Sequence, residues 1–326
     1  MLSKTKDTNS RSDYFFMVSS KDRHIIVNYH YVEDPKPDWG GIHPCSVDEF
    51  EKQISFLSKN FEIVSVGQVF DFVKKESKGK SCAVTFDDGL KGQYDNAVPI
   101  LNKYKIKAIF FPITSTFEDR LPATHKIHVL LSHTSSLELI NIFHKFIVEF
   151  YPDLEAGYFI PTDRRLFERR RHEDIATANF KETMIGLADD VRGRFLRYCF
   201  KTMRLDEKKL SRQIFMNQDQ IIDLCGQNME IGSHSHGHYS MAVASGEFLK
   251  KDIKLSKDIL HRISGQEPTV FSYSHGHYSD HGSVILREMG FKHAVTIEPR
   301  AVSKNDNPLL LPRYDANDIG NLIYSA

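Results

Sequence analysis

The sequence lacks the features that mark several large classes of protein. It has a single tryptophan, four cysteines among 326 residues and no net charge, because 43 Lys and Arg residues balance 43 Asp and Glu residues. Proteins that bind nucleic acids through the phosphates usually carry a basic excess, so this balance disfavours a nucleic-acid partner. No apolar run approaches the roughly 18 residues that a membrane-spanning helix needs, so we expect no transmembrane segment.

The cysteines and the N-terminus bear on the cellular compartment. Cys45, Cys82, Cys199 and Cys225 are scattered and form no Cys-x-x-Cys pair, which favours free buried thiols over a disulfide framework. The first residues contain no apolar core of the kind that a signal peptide carries. The sequence therefore predicts a cytoplasmic protein.

Strand-like and helix-like patterns alternate along most of the chain. Residues 1–22 are polar and aperiodic, and we expect a weakly ordered arm there. From residue 23 onward, short β-rich runs such as 81–86 alternate with amphipathic segments such as 47–59, a pattern that indicates a parallel sheet with crossover helices. The alternation stops between residues 116 and 214, where helical stretches prevail. We predict an α/β barrel-like domain over residues 23–326 that is interrupted by a helical insertion at 116–214.

Three polar clusters follow predicted strands, at the end where a parallel barrel carries its active site. Asp87 and Asp88 form the first, in which one carboxylate could bind a metal while the other moves protons; an Asp-Asp-Gly sequence is also typical of an ordinary solvated turn. His234 and His238 belong to the second, and their spacing lets one turn of chain direct both imidazoles at a single ion, unless the loop is histidine-rich by chance. Residues 271–278 form the third, which could line a polar pocket or be a plain surface loop.

Together, these clusters predict hydrolytic chemistry. One carboxylate and two imidazoles would hold a divalent ion and leave coordination positions open, as in catalytic sites. A bound water would become a nucleophile near neutral pH, and a second carboxylate could take its proton. A metal-bound nucleophile with a base beside it is the combination that hydrolyses an acyl bond.

The first two clusters also resemble the motifs of a known family. Residues 85–89, Thr-Phe-Asp-Asp-Gly, resemble the first motif of the polysaccharide deacetylases, the NodB-homology family of carbohydrate esterases. Residues 234–238, His-Ser-His-Gly-His, match that family's His-Ser/Thr-x-x-His motif. The two motifs occur in the family's order, and the resemblance covers roughly 24–114 and 217–315.

The resemblance implies a fold, a reaction and a set of residue roles. The fold would be a distorted (β/α) barrel of about seven strands, and the reaction the removal of an N-acyl group, usually acetyl, from an amino sugar. Asp88, His234 and His238 would hold one divalent ion, most often Zn²⁺. Asp87 would act as general base.

Two later motifs of the family are altered or missing here. Phe271 stands at the arginine position of the Arg-x-x-Pro-Tyr motif, and Arg313 could replace that arginine as the residue that orients Asp87. The Leu-x-His motif, which supplies the general acid, has no obvious match. Our first candidate for the acid is His275, unless it merely packs where the family has an aromatic residue. The other candidates are His277, His293, His125 and His128.

The candidates for substrate binding are His30, Tyr273, His125 and Lys126. We expect the insertion to lie over the barrel mouth as a lid. Its arginine clusters at 164–165 and 169–171 could contact phosphates of a nucleotide- or lipid-linked sugar, or form a solvated helix face.

The predicted function is metal-dependent N-deacylation of an amino-sugar precursor in capsule, lipopolysaccharide or other surface-glycan synthesis. Two alternatives stay open: a non-catalytic carbohydrate-binding barrel, and a different metal-dependent amidase, such as a deformylase, on the same scaffold.

Overall fold

A computed structural model describes residues 23–319, apart from 37–38, 40–41, 167–169, 171–172, 243 and 245. The predicted N-terminal arm at 1–22 lies outside the described residues. Among the helices that are described, none combines the length and the apolar character that a membrane span requires.

The described part of the chain alternates strands and helices on both sides of a long helical stretch. In chain order the elements are β1 (His24–Tyr29), α1 (Val47–Asn60), β2 (Glu62–Ile63), α2 (Val66–Lys74), β3 (Ser81–Asp88), α3 (Val98–Lys103), β4 (Ile109–Pro112), α4 (Ala123–His133), α5 (Ser136–Phe150), α6 (Ile175–Gly186), α7 (Asp189–Thr202), α8 (Glu207–Ile214), α9 (Gln218–Gly226), β5 (Glu230–Ile231), α10 (Gly246–Ser264), β6 (Val270–Ser272), α11 (Asp280–Glu288), β7 (His293–Val295) and β8 (Tyr314–Asp315).

The strands close into an irregular parallel barrel. β1 pairs with β3 on one side and β8 on the other, and β3 continues through β4 to β5. A bridge from Ser233 to Phe271 joins β5 to β6, which pairs with β7, and a bridge from Val295 to Leu311 leads back towards β8. The short β2 lies beside β4 on the same edge of β3. This ring of seven strands confirms the predicted distorted barrel.

The barrel strands form because their sequences suit complete burial. Every residue of β1 and of β3 is buried, and strands buried on both faces favour continuous apolar runs. Outside them, α1 begins at the N-cap Ser46, whose side chain accepts the Glu49 N–H, and it buries Phe50, Ile54 and Leu57 on one face. The sequence pattern is therefore sufficient to place this layer of the fold.

The stretch from 116 to 214 contains α4 to α8, with no strand among its described residues. Its helices share a hydrophobic core of their own, in which Phe143, Phe180 and Phe195 are fully buried. Leu90 and Phe215 belong to the same core. Because Leu90 directly follows the end of β3, the helical stretch packs against the carboxyl ends of the strands, where a barrel carries its active site.

Candidate active site and metal centre

The end of β3 separates two adjacent carboxylates. Successive strand residues point in opposite directions, and Asp88 and Gly89 then turn the chain with φ angles of 73° and 76°. A side chain on Gly89 would come within 2.8 Å of the Pro112 side chain, so only glycine fits this turn. Asp87 and Asp88 therefore face different partners.

Asp87 is held by a buried arginine from the far end of the chain. Arg313 Nη1 lies 2.9 Å from Asp87 Oδ1, and Nη2 lies 2.7 Å from Oδ2. Asn28 Nδ2 also donates to Oδ2, at 3.2 Å. Burial raises the pKa of Asp87, but the charges of Arg313 and His234 outweigh burial and the net pKa falls below its usual value. Asp87 is thus an oriented carboxylate that is ionised at neutral pH.

Asp88 faces two histidines from the loop after β5. Its Oδ1 lies 3.4 Å from His234 Nε2 and 3.5 Å from His238 Nε2. One ligand atom from each of the three residues lies within 4.8 Å of the other two. His234 Nδ1 is 2.8 Å from the Ser272 carbonyl, a contact in which the ring must donate, so Nε2 stays free to bind an ion.

Two properties of this cluster show whether a cation fits it: its buried polar atoms without partners, and the charge states of its side chains. Asp88 Oδ1 is buried without a hydrogen-bond partner, and such a group costs about 1–3 kcal/mol when nothing compensates it. Burial raises the pKa of Asp88, but contacts with His125, His234 and His238 outweigh it and the pKa lies well below its usual value. Burial lowers the pKa of His238 well below its ordinary value. Burial also acts to lower the pKa of His234, but the carboxylates of Asp87 and Asp88 outweigh it and the pKa is raised. A divalent ion needs both imidazoles neutral, so its binding would displace that proton, and one charged carboxylate with two imidazoles fits such an ion.

The histidine loop has a strained backbone that neighbouring groups hold in place. Ser235 and His238 have φ angles of 66° and 59°, in the left-handed region that is costly for residues other than glycine. Ser235 Oγ accepts the His238 N–H at 2.9 Å. From α10, the buried carboxylate of Asp252 accepts the N–H groups of His236 and Gly237 at 3.0 and 2.9 Å. Two residues that support the site, Asn28 in β1 and Asp252 in α10, were not predicted from the sequence. Each is a polar residue among buried apolar neighbours, and this is the signal by which it could have been found.

Both carboxylates line a cavity of about 480 Å³, a size typical of small-molecule sites. His30 lines it as well, with 39% of its side chain exposed, and its Nε2 lies 3.9 Å from Asp87 Oδ2. On the other side of the ring, His30 Nδ1 lies 3.9 Å from Asp315 Oδ2. The insertion supplies another part of the lining, which includes His128, Arg170, Glu173 and Lys181.

The structure argues against His275 as general acid. Its ring lies 4.5 Å from the His238 ring and 5.8 Å from the His277 ring, measured between centroids. Burial and then the neighbouring histidines lower the pKa of His275 to about 3. At neutral pH this imidazole has no extra proton to give, and a cation on His238 would lower the pKa further. His275 therefore lines the cavity beside His238, but an imidazole whose pKa is lowered so far is a poor proton donor at neutral pH.

Tyr273, predicted as a substrate-binding residue, is among the residues that line the cavity. Its side chain is 1% exposed, and its hydroxyl donates to the Leu309 carbonyl at 2.9 Å and lies 3.1 Å from Ser283 Oγ. The hydroxyl is thus occupied inside the protein, so Tyr273 forms part of the cavity wall without offering a free hydrogen-bonding group.

The two predicted insertion residues have other partners too. Lys126 Nζ lies 2.9 Å from Glu207 Oε2 and borders a neighbouring cavity, not the one that contains Asp87. His125 is fully buried, with its Nε2 3.3 Å from Asp88 Oδ2. Neither side chain is placed to contact a substrate at the two carboxylates.

The arginine clusters of the insertion are partly engaged in internal contacts. Arg170 Nε lies 2.7 Å from Glu182 Oε1, and Arg165 donates to the carbonyls of Arg170 and Glu173. Residues 169 and 171 lie outside the described part of the chain. Arg165 and Arg170 are thus engaged in internal contacts, although Arg170 also lines the cavity, whereas Arg164 is exposed.

Comparisons with known proteins agree with this site. A family model described as polysaccharide deacetylase matches residues 74–141 and 202–294, which contain both aspartates and both metal-site histidines. The poly-beta-1,6-N-acetyl-D-glucosamine N-deacetylase of Staphylococcus epidermidis is 32% identical over 110 residues, which are 29% of this chain and 37% of that relative. The match thus spans little more than a third of the relative's length.

Solved structures with similar folds include the deacetylase PplD of Streptococcus pyogenes, in complex with acetate, and IcaB of Ammonifex degensii. Each has a TM-score of 0.56 and 17% sequence identity. The first alignment covers 89% of this chain and 91% of the other, and the second covers 93% and 96%. At this identity, the likeness establishes the fold. Together with the matched family model and the motifs at the ends of β3 and β5, it leads to one conclusion: the chain belongs to the polysaccharide deacetylase family.

Proposed function

We propose that the protein is a metal-dependent hydrolase that removes an N-acetyl group from an amino sugar. The observation that carries this proposal is that the two carboxylates at the end of β3 have different partners. Arg313 holds Asp87, whereas Asp88 faces His234 and His238, and both carboxylates border one cavity. Hydrolysis of an amide by metal-activated water uses a base beside the ion, whereas sugar binding alone needs neither.

The ion we propose is Zn²⁺, because one carboxylate and two imidazoles with open positions make a donor set typical of catalytic zinc. Asp88, His234 and His238 would hold it. When bound, such an ion polarises an acyl oxygen and lowers the pKa of a bound water.

Asp87 is the proposed general base. It is ionised, borders the cavity, and is fixed at both oxygens by Arg313. A base whose orientation is set in advance loses no freedom when it takes the proton of the attacking water. Arg313 contributes by keeping Asp87 charged and aimed, not by contacting the substrate.

His30 is the proposed proton donor to the departing amine. The nitrogen must be protonated when the C–N bond breaks, and histidine changes charge near neutral pH. His30 and His275 both line the cavity, but His30 is the one that lies between the carboxylates of Asp87 and Asp315. A proton that Asp87 accepts from water could pass towards the leaving group on this side.

The proposed substrate is an N-acetylated glycan of surface-polysaccharide synthesis. Support comes from the named substrate of the Staphylococcus epidermidis relative. It also comes from the insertion, which lines the cavity with Glu173, a buried carboxylate whose Oε2 has no hydrogen-bond partner. Because the insertion lines the cavity, we propose that it takes part in substrate choice. The cytoplasmic location stays a prediction.

The test uses protein loaded with one equivalent of Zn²⁺ and oligomers of N-acetylglucosamine with different linkages. We expect acetate release and a matching gain of free amines, with the loss of acetyl groups seen by mass spectrometry. Asp87→Asn serves as the control that keeps the metal. Metal-loaded parent protein that binds the oligomers without releasing acetate would instead indicate a carbohydrate-binding barrel. Release of formate from N-formyl compounds alone would indicate a deformylase.

A further inference from the structure

One histidine of the insertion contacts Asp88 at the carboxylate oxygen that His234 and His238 do not approach. His125 lies in the first turn of α4, is fully buried, and places Nε2 3.3 Å from Asp88 Oδ2. This is as close as the contact of 3.4 Å between His234 and Asp88 Oδ1. The two oxygens of Asp88 therefore face different imidazoles.

The surroundings of His125 give its ring nitrogens little else to contact. The ring packs edge-on against Phe215, with centroids 4.7 Å apart, and near Tyr31 and His128. Neither ring nitrogen has a hydrogen bond of good geometry, so the approach to Asp88 Oδ2 is the polar contact that the structure shows. Burying an uncompensated imidazole is costly, and a side chain needed only for packing would be better apolar.

His125 is not arranged as a ligand. The group of atoms within 4.8 Å of one another contains Asp88, His234 and His238 but not His125. His234 and His238 approach Oδ1, whereas His125 approaches the opposite oxygen. Hydrogen bonds to the second oxygen of a ligating carboxylate fix its rotation and tune its affinity for the ion.

We propose that His125 is a positioning residue: its Nε2–H holds Asp88 Oδ2 so that Oδ1 faces the ion. The inference rests on the metal site of the proposed function and adds a role for the insertion. α4 belongs to the separate core of the insertion, through residues such as Ile127 and Leu130. The insertion is then part of the metal centre as well as a wall of the cavity, and metal affinity depends on how α4 packs.

The experiment measures Zn²⁺ affinity by competition with a chelator for four proteins: the parent, His125→Phe, His125→Gln and the matched control His128→Gln. His128 lies one turn further along α4, and its Nδ1 contacts the Tyr31 hydroxyl at 3.0 Å rather than Asp88. Phenylalanine fills the volume of His125 without a nitrogen. Glutamine can place an N–H near the position of Nε2.

We expect His125→Phe to bind Zn²⁺ about 10–100-fold more weakly, the range typical of outer partners of metal ligands. His125→Gln should recover part of this loss, and His128→Gln should bind as the parent does. Circular dichroism in the presence of chelator checks that each variant is folded. If the phenylalanine variant does not fold, the comparison of His125→Gln with His128→Gln decides, with a loss confined to the former expected.

Two results would overturn the inference while leaving the proposed function intact. Parent-like affinity in folded His125→Phe would show that the contact does no positioning. A complete loss of metal, equal to that of His234→Ala, would make His125 a ligand. The visible spectrum of bound Co²⁺ separates these cases, because removing a ligand alters coordination and removing a positioning residue does not. Failure of the parent itself to bind an ion would instead refute the metal site and the proposed function.

Discussion

Replacing Arg313 is the sharpest test of how Asp87 is held. Arg313 is 1% exposed, and its guanidinium donates to both oxygens of Asp87, to Asn28 Oδ1, to Ser272 Oγ and to the Thr296 carbonyl. Arg313→Met keeps an unbranched chain in place of the aliphatic part of arginine and removes every one of these donors. The buried carboxylate of Asp87 then keeps Asn28 alone as a donor.

The expected cost follows from the burial of both charges. Removing one partner of a buried ion pair destabilises a protein by about 3–5 kcal/mol, because the other charge stays buried without compensation. In urea this corresponds to a midpoint lowered by about 1–1.7 M for an m-value of about 3 kcal/mol/M, the upper end of the range for small proteins, and by less for a larger m-value. Unfolding is followed by circular dichroism with chelator present, so that metal binding does not contribute.

The stability difference between the parent and Arg313→Met should depend on pH, because the charge of Asp87 causes it. In the parent, the lowered pKa of Asp87 contributes stability that is present above the pKa of the unfolded chain and is lost as the pH falls through the folded value. In Arg313→Met, burial acts almost unopposed and raises the pKa of Asp87, so the variant is penalised at neutral pH and relieved when the carboxyl is protonated. The stability difference between parent and variant should therefore be largest near pH 7 and shrink towards about pH 4.

The control is Asp87→Asn, in which the carboxylate is already absent. Arg313→Met should cost less in this background than in the parent, and the difference is the coupling between the two side chains. An equal cost in both backgrounds, with no change between pH 7 and about pH 4, would refute the ion pair as the reason for the burial of Arg313.

The remaining predictions concern the metal and the proton transfers. His234→Ala or His238→Ala should remove the bound ion, measured by elemental analysis, while circular dichroism stays that of the parent; unchanged metal content would mean that the ion site is elsewhere. Asp87→Asn should retain the metal and lose about 10²–10⁴-fold in kcat; loss of metal instead would exchange the roles of the two aspartates. His30→Gln should abolish the alkaline limb of the pH–rate profile, whereas His275→Gln should keep it. The opposite pattern would restore His275 as the general acid.

Short-range sequence was enough to identify the clusters that come together as the candidate metal centre. Asp87 and Asp88 end β3, which is buried along its whole length, and the histidine loop follows β5. Parallel strands of one barrel end at the same rim, so residues directly after two such strands come together without any further information. The resemblance of both segments to family motifs pointed the same way.

Parts of the insertion show why periodicity fails elsewhere. Nearly every residue of α6 is buried, including Lys181 and Glu182. A helix covered on all sides has no polar face, and its sequence loses the repeat that marks an amphipathic helix. The pattern therefore indicated a helical region there without marking α6 as an element.

The pairing of distant side chains was decided by the tertiary structure. The sequence suggested Arg313 as a partner of Asp87, but only the closure of the barrel through β8 brings together two residues 226 positions apart. The sequence also pointed to His125 and Tyr273 as substrate contacts, and the fold turns the first onto Asp88 and the second onto Leu309. Motifs and periodicity state which residues lie at a strand end or on a helix. The direction of each side chain depends on the elements packed around it, and these come from remote parts of the chain.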